Sequence, residues 1–453
     1  MIEPTFSRRQ ALQRLSTGFG YMAFSGLAGQ SALASNALMP RQPHFPGKAK
    51  RVIFACMRGG PSHVDTFDYK PALKKDHGKV VKGNRKLMAS PWAFNQHGES
   101  GLHISELFPH LAKQADRLCV LNGMYADVPS HPECFLQLHT GSFQFVRPSV
   151  GAWTLYGLGS ANENLPGFIT IAPPSRVGGA QNYGSAFLPA IYQGTRIGDF
   201  GKKMKDAELS NVSQPRLSGA QQRLQLDLVQ SMNRDLQQRM AHNAQIEGVI
   251  ESYELGFRMQ ATLPEVMDIG DERQSTLDMY GIGKGRTDNF GRQCLLARRF
   301  AEAGVRFIEI THANWDQHGG LKAKLESNCG ATDQPLAALL QDLHQRGMLE
   351  DTLVVWGGEF GRTPHVKKQD GRDHNNTGFS FWMAGGGVKG GMTYGKTDEH
   401  GIKAVEDKVH FHDLHATMLH MMGLDHEQLT YSYAGRKFRL TDVYGNVLHD
   451  IIA

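Results

Sequence analysis

Carboxylates, imidazoles and guanidinium groups gather in a few short stretches of this chain. The densest is TLVVWGGEFGRTPHVKKQDGRDHNN from Thr352, which delivers Glu359, Arg362, Thr363, Asp373 and His374. A second reads Arg58-Gly59-Gly60-Pro61-Ser62-His63-Val64-Asp65. A third is NWDQHG, where Asp316 and His318 stand two residues apart, so that in an extended segment they face the same way. Oxygen and imidazole donors without thiolate suit a divalent ion such as Zn, Mn, Mg or Ca. The candidate ligands are Asp65, Asp316, His318, Glu359, Asp373 and His374. Arg58 and Arg362 are suited to hold an anionic group, or equally to pair with a neighbouring carboxylate. Asp65 has a plainer use as a helix cap, and Asp316 with His318 as loop hydrogen-bonders.

Such groups need strands to aim them. Leu353–Trp356 is a short apolar run with charged residues before it and glycines after it, the pattern of a buried parallel strand. Arg51–Met57, Leu118–Gly123 and Val305–Thr311 read the same way, and Phe379–Ala384 is a further strand. In open α/β sheets ligands bind outside the carboxyl ends of the strands, so the polar stretches should share one edge. The first strand empties into Gly-Gly-Pro, which demands a sharp turn there. It is no phosphate loop, because the Gly-Lys-Ser/Thr ending is missing. Helices are expected over 292–303, closed by Gly304, over 334–346 and over 413–422. From Pro215 to Met259 the chain reads helical, with Leu224, Leu228, Met232, Leu236 and Met240 every fourth residue. That stripe is expected to pack on the body of the protein, a partner coiled coil being the alternative. Residues 176–287 form an insertion or cap, and its glycine-rich lead-in, Val177 to Ser185, is expected beside the substrate cleft.

A chain of 453 residues can bury a large core. Its 40% hydrophobic and 21% charged residues suit a globular enzyme and exclude a disordered or fibrous one. The formal charge of +5 falls to +3 without residues 1–34, which hold Arg8, Arg9 and Arg14 against Glu3. So small an excess, unclustered, excludes a nucleic-acid footprint. Five widely spaced cysteines match neither a metal finger nor a disulfide framework. Cys134 reads as a small buried hydrophobe. At the start, Ser7-Arg8-Arg9-Gln10-Ala11-Leu12 precedes a mildly apolar run from Gly18 to Leu27 and the small-residue pattern Ala32-Leu33-Ala34. It is similar to a twin-arginine export signal, which places the mature protein in the periplasm or otherwise outside the cytoplasm. No other apolar run reaches the roughly 20 residues that a membrane span needs. The division is 1–34 signal, 35–50 linker and 51–453 a single α/β domain that contains the 176–287 insertion.

Several longer motifs carry a family resemblance: GGPSHVDTFDYKP, HTGSFQFVRPSVGAWTLYGLG with NLPGFITI, CLLARRFAEAGVRFIEI, NWDQHG, GGEFGRTP with GRDHNN, and AGRKFRLTDVYGNVLHDII. Together they resemble the exported domain of unknown function 1501 family, over nearly the whole chain after residue 45. That family is similar to the alkaline phosphatase superfamily of phosphatases, sulfatases and phosphomutases. The resemblance implies an α/β, alkaline-phosphatase-like core with a mainly parallel sheet flanked by helices, plus the helical insertion. It also implies a metal-dependent hydrolase of phosphate or sulfate esters, acting on an anionic ester small molecule or glycan. Two departures stand against it. Where sulfatases carry their nucleophile, this chain has His131 with Ser130 beside it, and where the superfamily has Asp-His-Gly it has Glu359-Phe360-Gly361. The nucleophile is therefore open among Ser62, Ser130 and water activated by a metal, with His131 or His63 as proton acceptor. The rival expectation is a non-catalytic binding or scaffold protein on the same fold.

Overall fold

The computed structural model describes residues 38–81, 83–207, 217–239, 244–367 and 370–453. The export signal and Met240 lie outside these. Among the described residues no helix is long and apolar enough to cross a membrane.

The core is one twisted sheet. Its strands are β1 (Arg51–Met57), β2 (Leu118–Tyr125), β3 (Phe168–Ile171), β4 (Thr195–Ile197), β5 (Phe307–His312), β6 (Thr352–Gly357), and later β9 (Phe379–Ala384), β10 (Met392–Tyr394) and β11 (Val409–His410). The spatial order is β10-β2-β9-β6-β1-β5-β3-β4, with β11 also on β2. β1 lies parallel between β6 and β5, Phe54 opposite Val355 on one side and Glu309 on the other. β9 alone runs antiparallel, to β6 and to β2. β2 therefore points the same way as β1, β5 and β6, and all four carboxyl ends reach one edge. The near-continuous Val, Ile, Leu and Phe of these strands follows from burial on both faces. Between β6 and β9, Trp356 and Trp382 stack with ring centroids 6.0 Å apart.

Helices cover the sheet. α1 (His63–Thr66) is a single turn after β1; α2 (His131–Thr140) and α3 (Val150–Leu158) follow β2; α6 (Asp288–Glu302), α7 (Leu321–Gln345) and α8 (Phe411–Met421) complete the layers. α2 ends at Gly141 in the left-handed conformation and α3 starts at Ser149, whose hydroxyl accepts from the Ala152 amide. The expected helix at 334–346 is the second half of the longer α7, which continues through Pro335.

Three expectations are corrected. Residues 176–287 do more than cap the sheet, because they supply its edge strand β4. The lead-in Val177 to Ser185 packs behind α2 and α3, with Gly184 O accepting the Ser149 amide, and does not line the cleft. The insertion's two long helices, α4 (Gly219–Arg239) and α5 (Ala244–Met267), form a hairpin in which α5 buries Leu255, Met259 and Leu263. The α4 stripe stays in solvent: Leu224, Leu228, Met232 and Leu236 are 70%, 63%, 66% and 47% exposed.

Candidate functional site

The turn after β1 sets the floor. Gly59 and Gly60 have φ of 117° and 77°, and a Cβ on Gly59 would lie 2.6 Å from the Asp316 amide nitrogen. Only glycine lets the β1 and β5 loops approach that closely. In return the Gly59 amide donates to both carboxylate oxygens of Glu359, each at 3.0 Å. Glu359 is fully buried, and its Oε1 also meets His131 Nδ1 at 2.5 Å. His131 is the first residue of α2, so the strand β2 and the helix start hold it over the carboxyl edge. Phe360 cannot ligate; its ring instead walls the site, 4.8 Å from His131 and 4.6 Å from His374.

Asp316 is the hub. Its Oδ1 takes Arg362 Nη2 at 2.6 Å and lies 3.0 Å from His318 Nε2 and 3.4 Å from His374 Nε2. Its Oδ2 is 3.4 Å from His131 Nε2, an ionic contact longer than a good hydrogen bond. Burial pushes the Asp316 carboxyl up, but His131, His374 and Arg362 outweigh it and hold it far below the usual carboxylate range. Burial likewise opposes charge on His131, yet Asp316 and Glu359 raise its pKa to about 9. His318 moves the other way, down, through burial first, with Arg362, His374 and Lys367 adding to it against Asp316.

The two remaining imidazoles define a donor pair. His374 Nδ1 lies 2.7 Å from the Pro129 carbonyl, which can only accept, so Nδ1 carries a hydrogen and, in the neutral ring, Nε2 presents a lone pair. His374 Nε2 and His318 Nε2 are 2.9 Å apart. Asp316 Oδ1, His318 Nε2 and His374 Nε2 therefore converge within 3.4 Å of one another. Asp373 stands behind, its Oδ1 3.6 Å from His318 Nδ1 and bonded to Lys367 Nζ at 2.8 Å and to the His374 amide at 2.9 Å. Burial raises Asp373, but these hydrogen bonds bring it below its ordinary value. Asp373 and His374 stand on a short ribbon. They lie on β8 (Arg372–Asn375), paired antiparallel with β7 (Gly361–Val366), Arg362 opposite His374.

Above this floor opens a cleft of about 560 Å³, lined by Arg58, Gly59, His131, Asn314, Asp316, Lys324, Ser327 and Asn328. Arg58 lies against the Phe200 ring at 4.9 Å. Asn314 holds a φ of 70°, strained for a residue with a side chain, and Asn328 Nδ2 fixes its carbonyl at 2.8 Å.

Several sequence candidates fall elsewhere. Asp65 is not a ligand: Arg372 clamps both its oxygens at 2.7 and 2.9 Å, with both side chains fully buried. Ser62 is buried and donates to Asp65 Oδ2 at 2.6 Å, so it faces no substrate. His63 is buried with Nε2 on the Gly401 carbonyl at 2.8 Å. Ser130 donates to Glu133 at the head of α2. Arg362 does not line the cleft; its guanidinium is buried, Nε and Nη2 on the Gly59 and Gly60 carbonyls and Asp316, with Nη1 unpaired among the described residues. Glu359 is held by Gly59 and His131, apart from the Asp373–His374 pair. Cys134 is buried, its thiol donating to the Glu359 carbonyl at 2.7 Å. Sequence reasoning missed Arg372, Asn314, Lys324, Ser327 and Asn328. The first stands next to Asp373 in GRDHNN, which was a usable signal; the α7 residues carried none.

Solved structures similar to the chain are remote. Ps i-CgsB, solved in complex with k-i-k-neocarrahexaose, shows 9% identity over 83% of this chain and 72% of that one, with a TM-score of 0.40. The lipoteichoic acid synthase LtaP from Listeria monocytogenes shows 9% over 91% and 80%, TM-score 0.39. Alkaline phosphatase from the Antarctic bacterium TAB5 shows 8% over 84% and 99%, TM-score 0.35. No curated protein matches. The model of the family described as Protein of unknown function (DUF1501) matches residues 49–452, the glycine turn, the Asp316 hub and the β7–β8 ribbon included, and the chain belongs to that family.

Proposed function

We propose that this protein is a metal-dependent hydrolase of phosphate or sulfate esters that works in the cell envelope. The observation that carries the reading is the convergence of Asp316 Oδ1, His318 Nε2 and His374 Nε2 beneath a cleft with basic walls. These residues fit a divalent ion. Two imidazole nitrogens 2.9 Å apart need a proton or a cation between them. Two nitrogens and one carboxylate oxygen suit Zn or Mn better than Mg or Ca. When bound, the ion would polarise the ester oxygens and acidify a nucleophilic water.

The chain's own groups supply the rest. Arg58 and Lys324 hold the anionic ester group at the cleft wall. His131, fixed through Nδ1 by Glu359, turns Nε2 toward Asp316 and the cleft, where its proton reaches the leaving oxygen. Phe360 excludes water behind it. With the Ser62 hydroxyl buried on Asp65 and the Ser130 hydroxyl bonded to Glu133, the attacking group is water. The place of action rests on the twin-arginine pattern at Ser7 to Leu12.

The binding or scaffold reading draws on one observation, that Glu359 spends both oxygens on Gly59 and His131. The test is metal analysis of purified protein followed by a broad panel of phosphate and sulfate esters. Metal at about one equivalent with turnover that chelation abolishes supports the hydrolase. Metal-replete protein that turns over no ester leaves the binding protein as the better account.

A further inference from the structure

The α4–α5 hairpin is amphipathic in the wrong sense for a surface helix. The side of α4 that meets α5 is polar: Arg223 pairs with Glu254 at 2.8 Å, and Gln230, fully buried, donates to the Ile250 carbonyl at 2.6 Å. The opposite side carries Leu224, Leu228, Met232 and Leu236, and α5 adds exposed Val249 and Tyr253. α5 in turn rests on the core through Leu255, Met259 and Leu263, so α4 is an outer layer. An exposed apolar stripe more than three turns long is the kind of patch that marks an interaction surface.

We infer that this face pairs with the same face of a second copy of the chain, α4 against α4 in antiparallel sense about a twofold axis level with residue 230. The spacing is self-complementary. Positions 224, 228, 232 and 236 are symmetric about 230, so an antiparallel pair sets Leu224 against Leu236 of the partner subunit and Leu228 against Met232 of the partner subunit, as an isologous interface requires. Arg223, beside the stripe, is neutralised within the hairpin by Asp227 and Glu254. The size is adequate: α4 is about 30 Å long, and two helices side by side present a face of about 600 Å², near the roughly 800 Å² per partner of a standard interface.

The test uses the full chain, whose five native cysteines are all buried and leave engineered thiols as clean reporters. Light scattering after size exclusion should give twice the 50.1 kDa chain mass. Leu228→Glu with Met232→Glu should return it to one, with circular dichroism and metal content unchanged. Ser231→Cys, next to the axis, should form a disulfide-linked dimer on mild oxidation, while Gln221→Cys, about 27 Å from its copy in the antiparallel pair, should not. A wild-type monomer across micromolar concentrations overturns the inference and leaves the stripe to another occupant, such as residues 1–37. So does a dimer indifferent to the glutamates, or one that cross-links through Gln221→Cys and not Ser231→Cys.

Discussion

Replacing Arg372 should damage the site from beneath without touching it. Its guanidinium makes four hydrogen bonds, two to Asp65 and one each to the carbonyls of Thr363 and Met88, with no solvent exposure. Breaking a buried ion pair from one side costs about 3–5 kcal/mol, because the other charge is stranded. In Arg372→Leu the Asp65 carboxylate keeps only the Ser62 hydroxyl, and in Asp65→Leu the guanidinium keeps only two carbonyls. Each single variant should therefore lose about 3–5 kcal/mol in denaturant unfolding of the metal-free protein. The double variant removes both charges and should lose less than the two together by at least about 2 kcal/mol, well beyond the 0.3–0.5 kcal/mol expected of independent sites. Arg372→Lys should not rescue, since an ammonium cannot span both Asp65 oxygens. Arg372 also begins β8, so every single variant should weaken metal binding, read by titration calorimetry, through misplaced His374. Additive losses in the double variant, or Arg372→Leu within 1 kcal/mol of wild type, would refute the argument.

Four further outcomes are expected. His374→Ala should lose bound metal, measured by elemental analysis, while its circular dichroism spectrum stays that of the wild type; Asp373→Asn should weaken binding less, because Asp373 stands behind His318. Arg58→Ala with Lys324→Ala should raise KM for an anionic ester at least tenfold and change kcat less, since both groups hold the substrate and neither reaches the leaving oxygen. Metal-free protein should lose stability as pH rises: the His131 pKa is raised from about 6.5 to about 9, so its contribution is whole below pH 6.5 and gone above 9, a ceiling of roughly 3 kcal/mol that Glu359→Gln should lower. Unfolding followed between pH 6 and 9.5 checks this, and a flat profile counts against it. Lysine in place of Arg8 and Arg9 should leave the precursor in the cytoplasm, seen by fractionation.

The sheet was legible because its signal is local. Runs such as Val52–Met57 and Leu353–Trp356 announce strands buried on both faces, and glycines after them announce the working edge. Asp316 and His318 could be placed at that edge for the same reason, since they follow β5 by a few residues, whereas Asp373 and His374 stand on the β8 ribbon strand itself. What a linear reading could not see is which charge meets which across hundreds of residues. Asp65 looked like a ligand until Arg372, 307 residues on, took both its oxygens. Arg362 looked like an anion holder, yet its partners, Gly59 and Gly60, lie in a different loop. Lys324, Ser327 and Asn328 of α7 sit on an ordinary helix face and line the cleft only because that helix passes it. The α4 stripe was read correctly as a stripe; periodicity gives a face but not what the face meets.

The strand order has a consequence for biosynthesis. β1, nearly the first element made, occupies the middle of the sheet, and its neighbours β5 and β6 begin at Phe307 and Thr352. At 5–20 residues per second the ribosome takes about 10–60 s to supply them. Throughout that interval Val52-Ile53-Phe54-Ala55-Cys56-Met57 is an aggregation-prone apolar segment with both edges open. The chain should therefore depend on a holding chaperone during synthesis, and the sheet should close late, once β6 and then β9, which joins β2 to it, have arrived.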